Sequence, residues 1–164
     1  MSDNGQILMD ACNLIINDPS LQPEYDKVTG CLTKTHCNQA CLLVARTMGC
    51  LEFNTPVNKD PLRADEMISL MLANASGKWR TGTGSEATIH ALSGGLAIAA
   101  MSSKVLKAAH GHVAIVAPIG MQNSGSLKKD VPLVANIGKT VGIMKSSGAF
   151  PVSVGEAQYF LYAV

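Results

Sequence analysis

Hydrophobic positions in the first half of the chain recur at the spacing of α-helices. Apolar residues at this spacing across 7–16 predict a first helix, which ends at the Asn-Asp-Pro sequence of 17–19. An Asp-Pro pair opens the apolar stretch 60–75 and predicts a helix there, because Asp suits the N-cap and Pro the first turn. A short helix with a serine cap as its first residue is predicted over 85–92.

Hydrophobic positions in the second half form short continuous runs, which are typical of strands. The five runs are 96–100, 113–117, 133–137, 140–144 and 159–164. Pro118 is expected to end the second run, and the connectors are rich in Gly, Ser, Lys and Asn. Helices followed by a meander of strands predict an α+β fold, with N-terminal helices packed on an antiparallel sheet. We expect a single domain over 1–164.

A further predicted helix begins at Cys37 and ends at Gly49, with the apolar residues 42–45 on its buried face. Thr33 and Thr35 are the candidate caps. A thiol at a helix start feels the positive end of the helix dipole, so its pKa falls and thiolate accumulates. The unpaired N–H groups there can also receive an oxyanion. The competing interpretation is that Cys37 is a small core residue, as most free cysteines are.

The composition indicates a globular chain without an obvious polyanionic partner. Of 164 residues, 47% are hydrophobic and 15% charged, and the formal net charge is +1. No cluster of Lys and Arg is interleaved with aromatic residues, so we expect no nucleic-acid partner. The Gly-Thr-Gly-Ser turn at 82–85 lacks the strand and the Gly-Lys-Ser/Thr ending of a phosphate loop, so nucleotide binding is not predicted.

The N-terminal sequence has no basic segment followed by a long apolar run, and no window is apolar enough to cross a membrane. We therefore expect synthesis in the cytoplasm without a signal peptide, and no membrane span. A role outside the cell would require export by another route.

The number and spacing of the cysteines argue against a structural zinc site. The five are Cys12, Cys31, Cys37, Cys41 and Cys50. Their spacings do not form paired Cys-x-x-Cys units, and the odd number leaves at least one thiol unpaired. Cys41 lies one helical turn after Cys37 and is predicted to be core. A disulfide between Cys31 and Cys50 is left open.

Cysteine catalysis needs a base and often a polar group that orients the base. His110 and His112 flank Gly111 before the second strand, and His112 adjoins the apolar run directly. His112 is therefore predicted to be the base. Asn136 interrupts the third apolar strand and needs a hydrogen-bond partner, which the second ring nitrogen of His112 could provide.

The order of these three residues resembles the papain-like NlpC/P60 and CHAP superfamily of peptidoglycan amidases and endopeptidases. The sequence Gly-His-Val-Ala-Ile-Val at 111–116 closely matches the CHAP histidine strand, and Asn136 suits the third polar position. Tyr25 stands twelve residues before Cys37, where NlpC/P60 enzymes place a tyrosine near the oxyanion. The sequence departs from the family at His-Cys-Asn-Gln, where NlpC/P60 enzymes have Asp-Cys-Ser-Gly, and at Val134, where CHAP enzymes often have an acid.

The resemblance implies a papain-like fold and hydrolysis of amide bonds in peptidoglycan stem peptides or crosslinks, without a cofactor or metal. It assigns Cys37, His112 and Asn136 to catalysis, and Tyr25 and Asn38 to oxyanion or substrate contacts. Type VI secretion amidase effectors share this fold and often lack a signal peptide. Membership of that group implies export to the periplasm or cell wall of a target cell, with an immunity protein or a secretion apparatus as candidate partner.

Two other interpretations stay open at this point. A non-catalytic structural protein, such as a virion or adaptor component, fits the composition equally well. A metal site built from Cys37, His110 and His112 is the third, because His-x-His on a strand is a known ligand spacing, although only Asp130 stands nearby to complete it.

Overall fold

The computed structural model describes residues 2–57 and 59–163. Its helices are α1 (Asp3–Asn17), α2 (Cys37–Thr47), α3 (Ala64–Ala73), α4 (Gly84–Leu92), α5 (Ser103–Leu106) and α6 (Ser146–Ala149), with 3₁₀ turns at Pro19–Leu21 and Val152–Val154. Its strands are β1 (Glu24–Tyr25), β2 (Leu32–Lys34), β3 (Trp79–Gly82), β4 (Ala97–Met101), β5 (His112–Ser124), β6 (Lys129–Ile137), β7 (Val141–Lys145) and β8 (Gln158–Tyr162).

Six strands form one antiparallel sheet in the order β3-β8-β4-β5-β6-β7, and β1 pairs with β2 in a separate two-stranded ribbon. Strands β4 to β7 follow one another as a meander, and β8 returns to pair between β3 and β4. Helices α1, α2 and α4 pack against β5 and β6. The predicted α+β class with an antiparallel sheet is confirmed.

The core lies between the helices and the central strands. Every residue of β4 is buried, and β5 is buried from Val113 to Pro118. Leu8 and Ile15 of α1, Val44 of α2 and Ile115 of β5 are at most 1% exposed. The sites where α2 meets β5 are therefore held by rigid, fully packed elements, which suits a functional site that needs fixed geometry.

Helix α3 begins three residues later than the Asp-Pro pair predicted, with its N-cap at residue 63 instead of 60. Arg63 is its N-cap, and the carboxylate of Glu66 accepts the Arg63 backbone N–H at 2.6 Å. This bond closes the first turn at Arg63, so residues 60–62 precede the helix without regular secondary structure. The prediction of a start at Asp60 was wrong.

Helix α4 begins after Thr83, not Ser85. The Thr83 hydroxyl accepts the Glu86 N–H at 3.2 Å, and the Glu86 carboxylate accepts the Thr83 N–H at 2.8 Å. The spacing Thr-x-x-Glu is the capping-box pattern. Its two reciprocal bonds place the N-cap at Thr83, so Ser85 lies inside the helix.

Several strands differ from the sequence prediction: the short strands β1 and β2 were not predicted, and β6 begins four residues before the predicted run at 133. Strand β5 continues through Pro118 to Ser124, because its register with β6 shifts between Val116 and Met121, and a bulge of this kind accommodates a proline. Strand β3 was missed, because its four residues carry too few apolar positions to stand out. The last predicted strand matches β8, and its final residue, Val164, lies outside the described residues.

Every cysteine is a free thiol, and Cys31 is exposed whereas Cys50 is fully buried. The disulfide left open between these two is not formed. Among the described residues, no helix combines the length and hydrophobicity needed to cross a membrane.

Candidate active site

Cys37 is the first residue of α2, and the start of this helix is uncapped by any side chain. Ala40 N–H makes the first intrahelical hydrogen bond, to His36 O at 2.9 Å, so the N–H groups of residues 37–39 have no partner within the helix. Thr33 and Thr35 do not cap the helix as predicted, because His36 occupies the N-cap position.

His36 is buried and hydrogen-bonded at both ring nitrogens, so neither nitrogen is free to exchange a proton with the Cys37 thiol. Its Nδ1 lies 2.7 Å from Gln39 Oε1, and its Nε2 lies 3.0 Å from Glu24 Oε1. These bonds tie the first turn of α2 to β1. Hydrogen bonds from His36 and Lys34 lower the pKa of the Glu24 carboxyl, so this carboxylate stays an acceptor.

His112 and Asn136 lie on the same face of neighbouring strands. Continuing the Ile115–Ala135 register places Asn136 opposite Ala114, two residues along β5 from His112. His112 Nε2 is 2.6 Å from Asn136 Oδ1. The hydrogen bond predicted between these two side chains is present.

The hydrogen bonds of Asn136 fix the orientation of the His112 ring and its tautomer. Asn136 Nδ2 donates to the carbonyl of Thr140, so Asn136 Oδ1 is the atom that faces the ring. Because this oxygen only accepts, Nε2 of His112 carries a proton and donates it. Nδ1 is then the ring nitrogen left for Cys37.

The Cys37 thiol has a lowered pKa although it is only 6% exposed. Burial raises its pKa, but hydrogen bonding and positive charge from His112 more than offset this, helped by the Val113 backbone and the Thr35 side chain. These groups stabilise the thiolate over the thiol.

The His112 ring responds in the complementary direction. Burial lowers its pKa, but hydrogen bonding and charge from Cys37, together with the bond to Asn136, raise the pKa above that of an ordinary histidine. A thiol with a lowered pKa beside an imidazole with a raised one favours a thiolate–imidazolium pair.

Two neighbours shape the pocket around the His112 ring. The Phe150 ring centroid is 5.1 Å from that of His112 at an angle of 54°. A Cβ on Gly138 would lie 3.1 Å from His112 Cε1, closer than side chains normally approach. A side chain at position 138 would therefore require the ring to move by a few tenths of an ångström.

The side chains of Tyr25 and Asn38 donate hydrogen bonds to backbone carbonyl groups of the protein. The Tyr25 hydroxyl donates to Lys139 O at 3.1 Å, and this bond uses its only proton. The side chain of Asn38 donates to Leu62 O at 2.8 Å. For Tyr25, an oxyanion role would require exchange of its present bond for one with the substrate.

Two open clefts border the Cys37–His112 pair. A cleft of about 380 Å³ contains Cys37. It is lined by Thr33, Lys34, Thr35, His36, Cys37, Asn38, Gln39, Asp60, Pro61, Arg63, Ala64, His110 and Gly111. A second cleft of about 310 Å³ contains His112 and Asn136, and Thr35 lines both. An extended substrate could therefore cross the pair from one cleft to the other.

Of the ligands proposed for a metal site, Cys37 and His112 are adjacent, but His110 and Asp130 do not complete the set. His110 is exposed in the loop before β5, and Asp130 pairs with Asn123 at the far end of the β5–β6 hairpin. Within residues 2–57 and 59–163, no group of three His, Cys, Asp or Glu side chains has the arrangement of a metal site.

Three site residues escaped the sequence analysis. Thr35 was assigned to a helix cap, Val113 contributes through its backbone, and Gly138 was part of a connector. Only Gly138 carried a signal, since a glycine after a buried strand can mark a close approach of side chains.

Comparison with known proteins adds no further assignment. No protein-family model matches the chain, and a search of curated proteins finds no match to it either. The functional conclusion therefore depends on the geometry of Cys37, His112 and Asn136.

Proposed function

We propose that this protein is a cysteine hydrolase that cleaves amide bonds in peptidoglycan stem peptides or crosslinks. The observation that carries the proposal is the hydrogen-bonded series from Asn136 through His112 to a Cys37 thiol whose pKa is lowered. A nucleophile, a base and an orienting group in this order are the components of cysteine-dependent acyl transfer.

In the proposed reaction, the Cys37 thiolate attacks the carbonyl carbon of the scissile amide. The resulting oxyanion faces the unpaired backbone N–H groups at the start of α2. The His112 imidazolium gives its Nδ1 proton to the leaving nitrogen as the C–N bond breaks, which leaves a thioester on Cys37. His112 then removes a proton from water, the hydroxide attacks the thioester, and the carboxylic acid leaves as the Cys37 thiolate re-forms.

The substrate class is supported by the similarity to papain-like NlpC/P60 and CHAP enzymes. The helix-borne cysteine precedes the strand-borne histidine, and the polar residue follows on the adjacent antiparallel strand. The two clefts meeting at Thr35 suit a peptide that extends to both sides of the scissile bond. We propose a papain-like arrangement for the domain on the same grounds.

The test is digestion of purified sacculi with wild-type protein and with Cys37→Ala, followed by mass spectrometry of the soluble fragments. We expect the wild type to give fragment pairs whose summed mass exceeds the parent by one water, and Cys37→Ala to give none. Equal release by both proteins would show that Cys37 is not the nucleophile. No release by a wild-type protein whose Cys37 reacts readily with iodoacetamide would move the substrate to another class of amide.

A further inference from the structure

One carboxylate holds both ends of the connection between β4 and β5. Asp65, in the first turn of α3, accepts the backbone N–H of Ser103 at Oδ1 and that of Gly111 at Oδ2, each at 2.8 Å. Ser103 lies two residues after the end of β4, and Gly111 immediately precedes His112. Asp65 therefore fixes the backbone at the point where His112 enters the sheet.

The close approach of this carboxylate accounts for the glycine before His112. A Cβ on Gly111 would lie 3.0 Å from Asp65 Oδ1 and 3.0 Å from Met101 O. Gly111 is buried, and Met101 pairs with His112 in the β4–β5 register. The backbone beside His112 is thus enclosed between α3 and β4.

The segment that carries Asp65 also contacts the start of α2. The Asn38 side chain donates to Leu62 O at 2.8 Å. Asn38 is the residue after Cys37, and Leu62 lies three residues before Asp65. Residues 62–65, which we term the bridging segment, therefore bond to the nucleophile helix at one end and to the strand of His112 at the other.

We propose that Asp65 is a positioning residue that, through the bridging segment, sets the placement of His112 against Cys37. The inference rests on the proposed function, since it concerns the same thiol and imidazole. Asp65 touches neither the thiol nor the imidazole; it acts through the backbone of Gly111.

The protonation state of Asp65 is consistent with this role. Burial raises the pKa of its carboxyl, but hydrogen bonds from Ser103 and Gly111, with a smaller contribution from the charge of His110, lower it overall. Both oxygens are then acceptors at neutral pH, as two N–H donors require.

A purely local role for Asp65 at the start of α3 is the alternative, because acids in the first turn stabilise a helix. Glu66 has that role next to it, since its carboxylate accepts the Arg63 N–H without contacting the β4–β5 connection. Glu66→Gln is therefore the matched control for an effect that is confined to the helix.

The experiment measures the rate at which iodoacetamide alkylates Cys37 as a function of pH, by mass spectrometry of the peptide that contains it. The parent protein carries Cys31→Ser, because Cys31 is the exposed thiol that would otherwise react. Asp65→Asn preserves the shape of the side chain but replaces one acceptor with an NH₂ group directed at a backbone N–H.

We expect alkylation of Asp65→Asn to be about tenfold slower at neutral pH, because His112 is displaced from the thiol, and its midpoint to move to higher pH. Loss of the Asp65 charge alone would act in the opposite direction, since removal of a negative charge favours the thiolate. Glu66→Gln should follow the parent profile. If Asp65→Asn does not fold, Asn38→Ala, which releases the other end of the bridging segment, carries the test with the same expected direction.

A folded Asp65→Asn protein, or in its place Asn38→Ala, with a profile that superimposes on the parent or moves to lower pH would overturn the inference and leave the proposed function standing. If alkylation of Cys37 in the parent protein has the pH midpoint of an ordinary exposed thiol, both the positioning role of Asp65 and the proposed function are contradicted. No thiolate–imidazolium pair would then exist for Asp65 to position.

Discussion

Cys37 and Cys41 lie one turn apart on α2, and both are buried, yet the pKa of Cys37 is lowered whereas that of Cys41 is raised. Cys37 is 6% exposed and Cys41 is 1% exposed. Burial raises the pKa of each, but His112 reverses the direction at Cys37, whereas the neighbouring cysteines raise the pKa of Cys41 further. Burial alone on this helix therefore does not decide the direction in which a thiol pKa moves; the imidazole beside Cys37 does.

The thiols behind Cys41 follow the same rule. Burial raises the pKa of Cys12 to about 12 and also raises that of Cys50. These thiols remain protonated across the physiological range and contribute as small apolar side chains. Cys37 is thus the one buried thiol among these four whose pKa is lowered, and the predictions below test whether it acts as a nucleophile.

Cys37→Ala should give the largest effect on hydrolysis. Removal of the nucleophile is expected to lower the rate by at least about 10⁴-fold and to leave the fold intact. Cys41→Ala should retain activity but destabilise the protein by about 1 kcal/mol, because it leaves a small cavity in the core. Rates of amide hydrolysis and denaturant unfolding of both variants check this, and an inactive but stable Cys41→Ala would contradict it.

His112→Ala should lower the hydrolysis rate by about 10²- to 10⁴-fold, because both the base and the partner of the thiolate are lost. His110→Ala is the matched control, since His110 is exposed in the adjacent loop. Its loss of activity should be much smaller. Equal losses in the two variants, measured on the same peptide substrate, would argue against His112 as the base.

The pH dependence of kcat/KM should be bell-shaped. The lowered pKa of Cys37 places the acid limb below the pKa of an ordinary thiol, and the raised pKa of His112 places the alkaline limb above that of an ordinary histidine.

The same two pKa shifts make the free energy of unfolding depend on pH. The Cys37 contribution is lost as the pH falls through its folded pKa, and the His112 contribution is lost as the pH rises through its own.

In His112→Ala, the midpoint of Cys37 alkylation should move to higher pH, because the group that stabilises the thiolate is absent. An unchanged midpoint would assign the lowered pKa to the helix start alone. Measurement of this profile separates the two causes of thiol activation without a peptide substrate.

Asn136→Ala should lower activity by up to about 100-fold, less than loss of Cys37, because nucleophile and base both remain. It should also destabilise the protein by about 1–3 kcal/mol, since the His112 Nε2–H loses its acceptor and the buried cavity is unfilled. Asn123→Ala, at the exposed end of the same hairpin, controls for general effects on the sheet. Undiminished activity in a folded Asn136→Ala protein would leave Asn136 with a packing role only.

Local patterns were sufficient for most of the fold. Helical periodicity predicted α1 and α2, and continuous apolar runs predicted β4, β6, β7 and β8 to within a few residues. The errors arose where local signals competed: Thr83 and Ser85 both suit an N-cap, and only the partner at Glu86 decides between them. The continuation of β5 through Pro118 depends on a bulge against β6, which is a tertiary feature.

The candidate site was predictable where residue type alone restricts the choice. A thiol at a helix start, a histidine at a strand start and a polar residue in an apolar strand each stand out in the sequence. Asp65 does not, because an acid in the first turn of a helix is ordinary, and its bonds to Ser103 and Gly111 span 38 and 46 residues. Thr35 was assigned to a helix cap because a threonine just before a helix usually has that role.

Tyr25→Phe should give the smallest effect and settles which of two roles the hydroxyl has. As the structure has it, the hydroxyl donates to Lys139 O at an exposed position, and its removal should lower stability by about 0.5 kcal/mol and the hydrolysis rate only slightly. If the hydroxyl instead turns to the oxyanion in the substrate complex, the rate should fall by about 10²- to 10³-fold, the effect of one missing oxyanion donor. Comparison of kcat with KM separates these cases. Loss of an oxyanion donor lowers kcat. Loss of a hydrogen bond that positions Lys139 raises KM, because Lys139 lines the second cleft and shapes the surface that the substrate contacts.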